Sequence, residues 1–263
     1  MSGDTGLLPA IVAASRRRVE TALAQCPLAD LERLASQVHP DAAGFAARLG
    51  RPDEVNVIAE CKRRSPSKGI LRADYDAAAI ARAYERAGAA AISVLTEPTF
   101  FDGSLADLQR VGNAVSVPLL RKDFIVDEYQ LLEARAAGAS AVLLIVAALD
   151  GDGLSRLVRA ADDLGLATLV EVHERDELAR ALDAGARIVG VNARNLRTLD
   201  VSIDLVLAAA DAIPDGVIAV AESGIGSRAD IQALRRVGYD AFLVGERLVT
   251  CDNPGAALRE LVG

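Results

Sequence analysis

One phrase recurs along this chain: a helical stretch, a glycine, then a β-rich apolar run. It stands at Arg86-Ala87-Gly88-Ala89-Ala90-Ala91-Ile92-Ser93-Val94, Ala136-Ala137-Gly138-Ala139-Ser140-Ala141-Val142-Leu143-Leu144, Asp183-Ala184-Gly185-Ala186-Arg187-Ile188-Val189-Gly190-Val191 and Arg236-Val237-Gly238-Tyr239-Asp240-Ala241-Phe242-Leu243-Val244, and more briefly at Leu164-Gly165-Leu166-Ala167-Thr168-Leu169-Val170. In each, glycine supplies the left-handed position that ends a helix and releases the chain into a strand. A chain that repeats this phrase is a series of αβ units, which limits it to a small set of layered or closed parallel sheets.

Apolar runs lie near 55–61, 90–96, 117–122, 141–147, 167–172, 188–193, 217–222 and 241–245. Helical patterns separate them at about 76–87, 104–115, 127–137, 152–164, 175–184, 203–212, 228–237 and 254–262. The runs are nearly continuous in Val, Ile, Leu and Ala rather than alternating, as parallel strands covered by helices require. Eight such units in about 210 residues predict an α/β fold, a (β/α)8 TIM barrel, rather than an open doubly wound sheet. No Gly-rich dinucleotide turn follows the first run. The first 50 residues lie outside the repeat. Leu7 to Gln25 has a helical apolar pattern, and Pro27 and Pro40 punctuate the stretch after it, so this part reads as one or two extra helices on the barrel. The expected organisation is a single domain over 1–263, with 1–50 as an N-terminal helical extension and 51–263 as the barrel. Arg16, Arg17 and Arg18 read as a solvated helix face.

Composition narrows the function. The chain is 263 residues long and 51% apolar, ample for a core. Its net charge of −8 argues against a nucleic-acid footprint or an anionic membrane surface, both of which need a broad basic face. The longest apolar run, Ala141 to Leu149, is far short of the ~20 residues of a membrane helix, and the N-terminus does not read as a signal peptide. Cys26, Cys61 and Cys251 are odd in number and, with His39 and His173, fit neither a disulfide framework nor a zinc spacing. A reducing, cytoplasmic setting is expected, and no metal site.

Of 29 basic residues only three are lysines: Lys62, Lys68 and Lys122. Two of them directly follow apolar runs, where a barrel places its active site. The other polar strand ends are Glu60, Asp123, Glu171, Asn192, Arg194, Glu222 and Ser223. Glu60 and Lys62 are two apart and share one side of their strand. Together these residues read as an acid–base set for an anionic substrate, against the alternative of an ion-paired plug at the barrel mouth. Ser223-Gly224-Ile225-Gly226 and Gly245-Glu246 follow the last two strands, where barrels commonly hold phosphate. Arg63-Arg64-Ser65-Pro66-Ser67-Lys68-Gly69 is long and polar enough to close over a bound phosphate. Phe101 and Phe124 stand where they could flank an aromatic ligand, ordinary packing being the alternative. His173 reads as a structural residue of a strand-end turn.

The segments Ile58-Ala59-Glu60-Cys61-Lys62-Arg63-Arg64-Ser65-Pro66-Ser67-Lys68-Gly69, Leu120-Arg121-Lys122-Asp123-Phe124-Ile125, Leu169-Val170-Glu171-Val172-His173, Gly190-Val191-Asn192-Ala193-Arg194-Asn195-Leu196 and Ala221-Glu222-Ser223-Gly224-Ile225 resemble, in order, those of the indole-3-glycerol-phosphate synthases of tryptophan biosynthesis. Cys61 and Arg247 depart from the family's usual choices. The resemblance implies ring closure of 1-(2-carboxyphenylamino)-1-deoxyribulose 5-phosphate to indole-3-glycerol phosphate, with loss of carbon dioxide and water and without a cofactor. It also implies roles: Lys122 as general acid at the ketone with Glu171 as partner, Glu60 as base in dehydration, and Lys62 between substrate carboxylate and phosphate. Asn192, Glu222 and Ser223 would order the substrate; Ser65, Gly224, Gly245 and Glu246 would hold the phosphate. Arg194 and Leu196 would border the site, with Phe101 and Phe124 near the anthranilate ring. The expected partner is this phosphorylated small molecule, with neither nucleic acid nor membrane, on a monomer or weak homo-oligomer. Two other readings stay open from the residues: a Schiff-base aldolase using Lys122, and a non-catalytic barrel that binds a phosphorylated metabolite.

Overall fold

A computed structural model describes residues 6–195 and 199–263. Eight parallel strands, β1 (Asn56–Cys61), β2 (Ala91–Leu95), β3 (Leu119–Lys122), β4 (Ala141–Ile145), β5 (Ala167–Val172), β6 (Ile188–Asn192), β7 (Ile218–Glu222) and β8 (Ala241–Val244), close into a barrel. Closure comes from β1 pairing with β8, Asn56↔Ala241 through Ala59↔Val244. Every expected run is a strand, matched in full at 167–172 and otherwise trimmed by a residue or two at its ends. At Gly138, φ +91, the glycine N–H donates to the Arg135 carbonyl and the next N–H to that of Ala134. Ser140 N–H then joins the sheet at Leu119. The left-handed turn thus converts helix into strand within three residues, as the repeated phrase requires.

Alternation along the strands sorts two apolar layers. Ile58, Leu120, Leu143, Leu169, Ile188, Val220 and Leu243 fill the barrel interior, while neighbours such as Val57, Ala59, Val142, Val170 and Val189 pack outward beneath the helices. Glu60, Lys122, Glu171, Asn192 and Glu222 continue the inward-facing rows to the strands' C-terminal ends, because each lies an even number of residues from an interior position.

The N-terminal part forms three helices rather than one or two: α1 (Leu7–Gln25), α2 (Leu28–Ala35) and α3 (Ala42–Leu49). α3 closes the barrel's lower end, with Phe45 and Leu49 wholly buried in the interior cluster. Asn56 Nδ2 ties this end together by donating to the carbonyls of Leu49, Arg51 and Asp240 at 2.8–2.9 Å. α1 begins at the opposite end, where Leu7, Leu8 and Ile11 meet Phe101 and Phe124 around a cavity of about 60 Å³. Val19 and Leu31 pack on Tyr129.

Arg18 corrects the reading of the arginine triplet as a solvated face. Its Nη2 donates to Asp123 Oδ1 at 2.7 Å, and its Nη1 to Oδ2 at 3.2 Å. Asp123 Oδ2 also accepts from Thr96 Oγ1 at 2.6 Å and Arg121 Nη2 at 3.1 Å. Burial alone would raise the Asp123 pKa, but Arg121 and Arg18 reverse the effect and hold it at about 2. A depressed folded-state pKa means stability that is present above the unfolded value, near 3.8, and is lost as pH falls toward 2. Asp123→Asn is expected to cost roughly 1–3 kcal/mol, or several degrees in Tm, by removing the charge that Arg18 and Arg121 share, although Arg121 keeps Glu133 and the Gln130 carbonyl and Arg18 keeps Ser15. It should also flatten the pH dependence of the unfolding midpoint between about pH 4 and pH 2. Thermal unfolding followed by circular dichroism checks both; a loss under about 1 kcal/mol at neutral pH would show that the network contributes little.

Candidate active site

The inward polar residues converge on one cavity of about 590 Å³ at the barrel's C-terminal mouth. Its wall includes Glu60, Lys62, Lys122, Glu171, Asn192 and Glu222, together with Phe101, Phe124, Arg194, Ser223, Gly224, Gly245 and Glu246. Leu95, Leu143, Ile145 and Leu243 supply an apolar floor. Ser65 is buried but is not on this wall, and Leu196 lies outside the described residues. The segment after β1 holds an antiparallel hairpin, Arg64–Ser65 against Gly69–Ile70, that two-residue strands give no periodicity to foresee. Ser65 Oγ accepts from the Lys68 N–H at 3.2 Å, which shapes the hairpin turn.

Two lysines divide the carboxylates between them. Lys62 Nζ donates to Glu60 Oε1 at 2.5 Å. Lys122 Nζ donates to Glu171 Oε2 at 3.0 Å and lies 3.7 Å from Glu222 Oε2. Burial of Lys122 would favour the neutral amine, yet Glu171, Glu222 and Glu60 outweigh it and hold the ammonium above its ordinary pKa. Glu171, equally buried, is held below the carboxylate range by Lys122 and His173. Glu222 goes the other way. Burial, then the neighbouring Glu171 charge, pushes it well above the carboxylate range. Its two oxygens, both buried, make no hydrogen bond to a described residue. Paired carboxyls whose surroundings separate their pKa values are the usual acid–base arrangement.

Two glycines make room for these carboxylates. A Cβ on Gly245 would overlap Glu60 Oε1, and one on Gly190 would overlap Glu222 Oε1. Gly245 thus serves Glu60 as well as the expected phosphate site. Gly190 is not among the residues expected from sequence, although a lone glycine inside an apolar strand, two before Asn192 on the inward face, is the sign of such an approach.

At the mouth, Ser223 (φ +68) and Gly224 (φ +75) turn the chain sharply after β7 and bring residues 223–226 to the cavity wall. The N–H groups of Gly226 and Ser227 donate to Asp230 Oδ2, so an anion here meets the backbone nearer Ser223 and Gly224. Glu246 bridges Lys68 and Arg194, the latter at 3.8 Å, and so joins the hairpin after β1 to the turns after β8 and β6. Arg63 pairs with Asp102 of the turn after β2. Glu97 accepts the N–H groups of Thr99, Phe100 and Phe101 at 2.7–3.2 Å and so fixes the short helix Pro98–Phe101. That helix sets Phe101 with its ring centroid 6.1 Å from that of Phe124.

Comparison with known proteins shows the family of the chain. The family model described as Indole-3-glycerol phosphate synthase matches residues 8–261. An indole-3-glycerol phosphate synthase of Parafrankia sp. is 53% identical over 89% of this chain and 87% of its own length. That of Koribacter versatilis is 48% identical over 97% of this chain and 98% of its own. Among solved structures, thiamine phosphate pyrophosphorylase from Pyrococcus furiosus superposes with a TM-score of 0.60 at 16% identity, covering 80% of this chain and 95% of that one, and shares the fold alone.

Proposed function

The chain belongs to the indole-3-glycerol phosphate synthase family, and on that premise we propose how its cavity performs the reaction. The enzyme is a decarboxylating lyase of tryptophan biosynthesis. It closes the ring of 1-(2-carboxyphenylamino)-1-deoxyribulose 5-phosphate to indole-3-glycerol phosphate, releasing carbon dioxide and water. The observation that carries the assignment of roles is the Lys122 ammonium set between Glu171 and Glu222, across the cavity from the Glu60–Lys62 pair.

Ring closure pushes negative charge onto the ketone oxygen. Lys122 donates its proton there as general acid, and Glu171 restores it. Lys62 leaves Glu60 to meet the substrate's carboxylate and phosphate, which frees Glu60 to act as base in the dehydration. Glu222, protonated, donates to a substrate oxygen, and Asn192 and Ser223 order the hydroxyls. The backbone around Gly224, Gly245 and Glu246 receives the phosphate under the hairpin that Ser65 shapes. Phe101 and Phe124 face the anthranilate ring, with Arg194 bordering it. No cofactor enters this scheme. The charge state of Lys122 separates it from a Schiff-base aldolase, whose lysine must be a neutral amine to attack. We place the enzyme in the cytoplasm, as a monomer or weak homo-oligomer with the phosphorylated substrate as its partner. The cysteines are free thiols, and among the described residues no helix is long and apolar enough to cross a membrane.

Indole fluorescence appearing when the purified chain meets the synthetic substrate tests the assignment; no indole product would overturn it. Borohydride added during turnover should leave Lys122 unmodified by mass spectrometry, whereas a trapped adduct would restore the aldolase reading. Gly224→Val should raise KM on the order of tenfold with a smaller effect on kcat: Gly224 has φ +75, and even a Cβ there would stand 2.9 Å from Val201 Cγ1. An unchanged KM would remove this turn from the phosphate site.

A further inference from the structure

The reaction, taken as assigned above, does not balance within the site. Its ketone oxygen departs as water and carries two protons away. One is recovered from the substrate as the new ring becomes aromatic. With the substrate carboxylate ionised and carbon dioxide released, the other comes from solvent, one per turnover. Glu171 is nearly closed to water, its side chain being 2% exposed, and Lys122 reaches solvent only through the catalytic cavity that the substrate itself occupies during turnover. A route for that proton is needed.

The wall behind Glu171 holds an imidazole, His173, whose two ring nitrogens are buried and make no hydrogen bond to a described residue. Glu171 Oε2 faces Lys122, while Oε1 lies 3.2 Å from His173 Nε2. The opposite ring nitrogen, Nδ1, lies 3.8 Å from Glu177 Oε2, and Glu177 also accepts the His173 backbone N–H at 2.6 Å. Glu171 lines the catalytic cavity. His173 and Glu177 instead line a second cavity of about 1080 Å³, on the outer side of the β5 and β6 ends. The imidazole therefore stands between the acid–base pair and a separate opening. From sequence His173 reads as a structural residue. Its position, with a carboxylate at each ring nitrogen, fits a proton carrier better.

We propose that His173 relays a solvent proton from the second cavity through Glu171 to Lys122 in each turnover. After Lys122 has given its proton to the ketone oxygen, the N–H bond at His173 Nε2 breaks as an O–H bond forms at Glu171. The carboxyl then yields that proton to the neutral Lys122 amine. The neutral imidazole, turned toward the second cavity, takes a new proton from a buffer acid or hydronium ion. Charge and atoms balance with one solvent proton consumed. The groups facing His173 are Glu171 on its own strand, Glu174, Glu177 and Arg180 on and before the next helix, and Arg194 and Asp204 across the second cavity. Burial works against the imidazolium, but Glu171 and Glu177 prevail and push its pKa up to about 9, so the ring is charged at neutral pH. His173 acts only through Glu171 and is a positioning residue in that sense.

His173→Ala and His173→Gln separate a relay from a brace, since the amide of Gln can still donate to Glu171 but cannot carry a proton. Both are expected to lose about tenfold in kcat with KM within twofold of wild type, and to show a larger solvent deuterium effect. Added imidazole should restore kcat in the Ala variant in proportion to its concentration. The fall of kcat above about pH 9 should be present in the wild type and absent in His173→Gln. A Gln variant as active as wild type would overturn the relay, as would a folded Ala variant that imidazole does not rescue. Should the Ala variant not fold, the kcat and pH profile of the Gln variant decide. A wild-type enzyme that forms no indole product would instead defeat the functional reading, whereas an active wild type with unaffected variants defeats the relay alone.

Discussion

Lys122→Arg is expected to fold as the parent does and to lose at least about 10²-fold in kcat, with a much smaller change in KM. The substitution keeps a positive charge beside Glu171 and Glu222, so attraction for an anionic substrate survives. What it removes is a transferable proton, because a guanidinium of pKa above ~12 does not release one to a ketone oxygen on the timescale of turnover. Its planar fork also cannot occupy the point, 3.0 Å from Glu171 Oε2 and 3.7 Å from Glu222 Oε2, where the ammonium sits. Lys68→Arg is the control: Lys68 is largely exposed at the rim of the cavity, where it pairs with Glu246 and where a charge alone is wanted, so most activity should remain. Steady-state kinetics of both variants decide the matter. Equal losses, or a nearly wild-type Lys122→Arg, would reduce Lys122 to a source of electrostatic attraction.

Gly190→Ala should be nearly as damaging, although residue 190 does not line the cavity. A methyl group at this position takes the space of Glu222 Oε1 and stands 3.2 Å from Leu169 Cδ1, so the carboxyl must leave its place beside Lys122 and Glu171. Overpacking of this kind costs about 1–3 kcal/mol of stability. The larger effect is on chemistry: displaced, Glu222 no longer meets the substrate, and kcat should fall by about 10². A double-variant cycle tests the cause. If Gly190 acts only by admitting Glu222, then Gly190→Ala together with Glu222→Ala should be no slower than Glu222→Ala alone. Additive losses would place the effect of Gly190 elsewhere, and a fully active Gly190→Ala would show that the position of Glu222 is not critical.

Local sequence carries the barrel because most strands are written in nearly continuous apolar residues and most are announced by a helix-ending glycine. α1 is legible to its ends, Leu7 and Gln25. α2 and α3 are harder to separate, since eight-residue helices leave barely two turns of pattern. The chemistry of Glu60, Lys62, Lys122, Glu171, Asn192 and Glu222 is legible because inward alternation carries polar residues to one end of these strands. Arg18 is not legible: its partner Asp123 is 105 residues away, and an arginine on an amphipathic helix resembles its solvated neighbours. The place of His173 is hidden for a similar reason, because nothing in Val172-His173-Glu174 shows that the ring separates two cavities.

The closure of β1 on β8 also sets the order in which the molecule can be made. Asn56 bonds to the carbonyl of Asp240, 184 residues further on, and α3 rests on an interior that includes Leu243. While the chain leaves the ribosome, its earliest helices and its first strand therefore have no finished surface to dock on. β1 stays an open sheet edge until the final strand emerges. Contacts this distant slow folding and prolong the exposure of apolar surface, so completion of synthesis, rather than the growth of any one αβ unit, is the event that commits this protein to its native state.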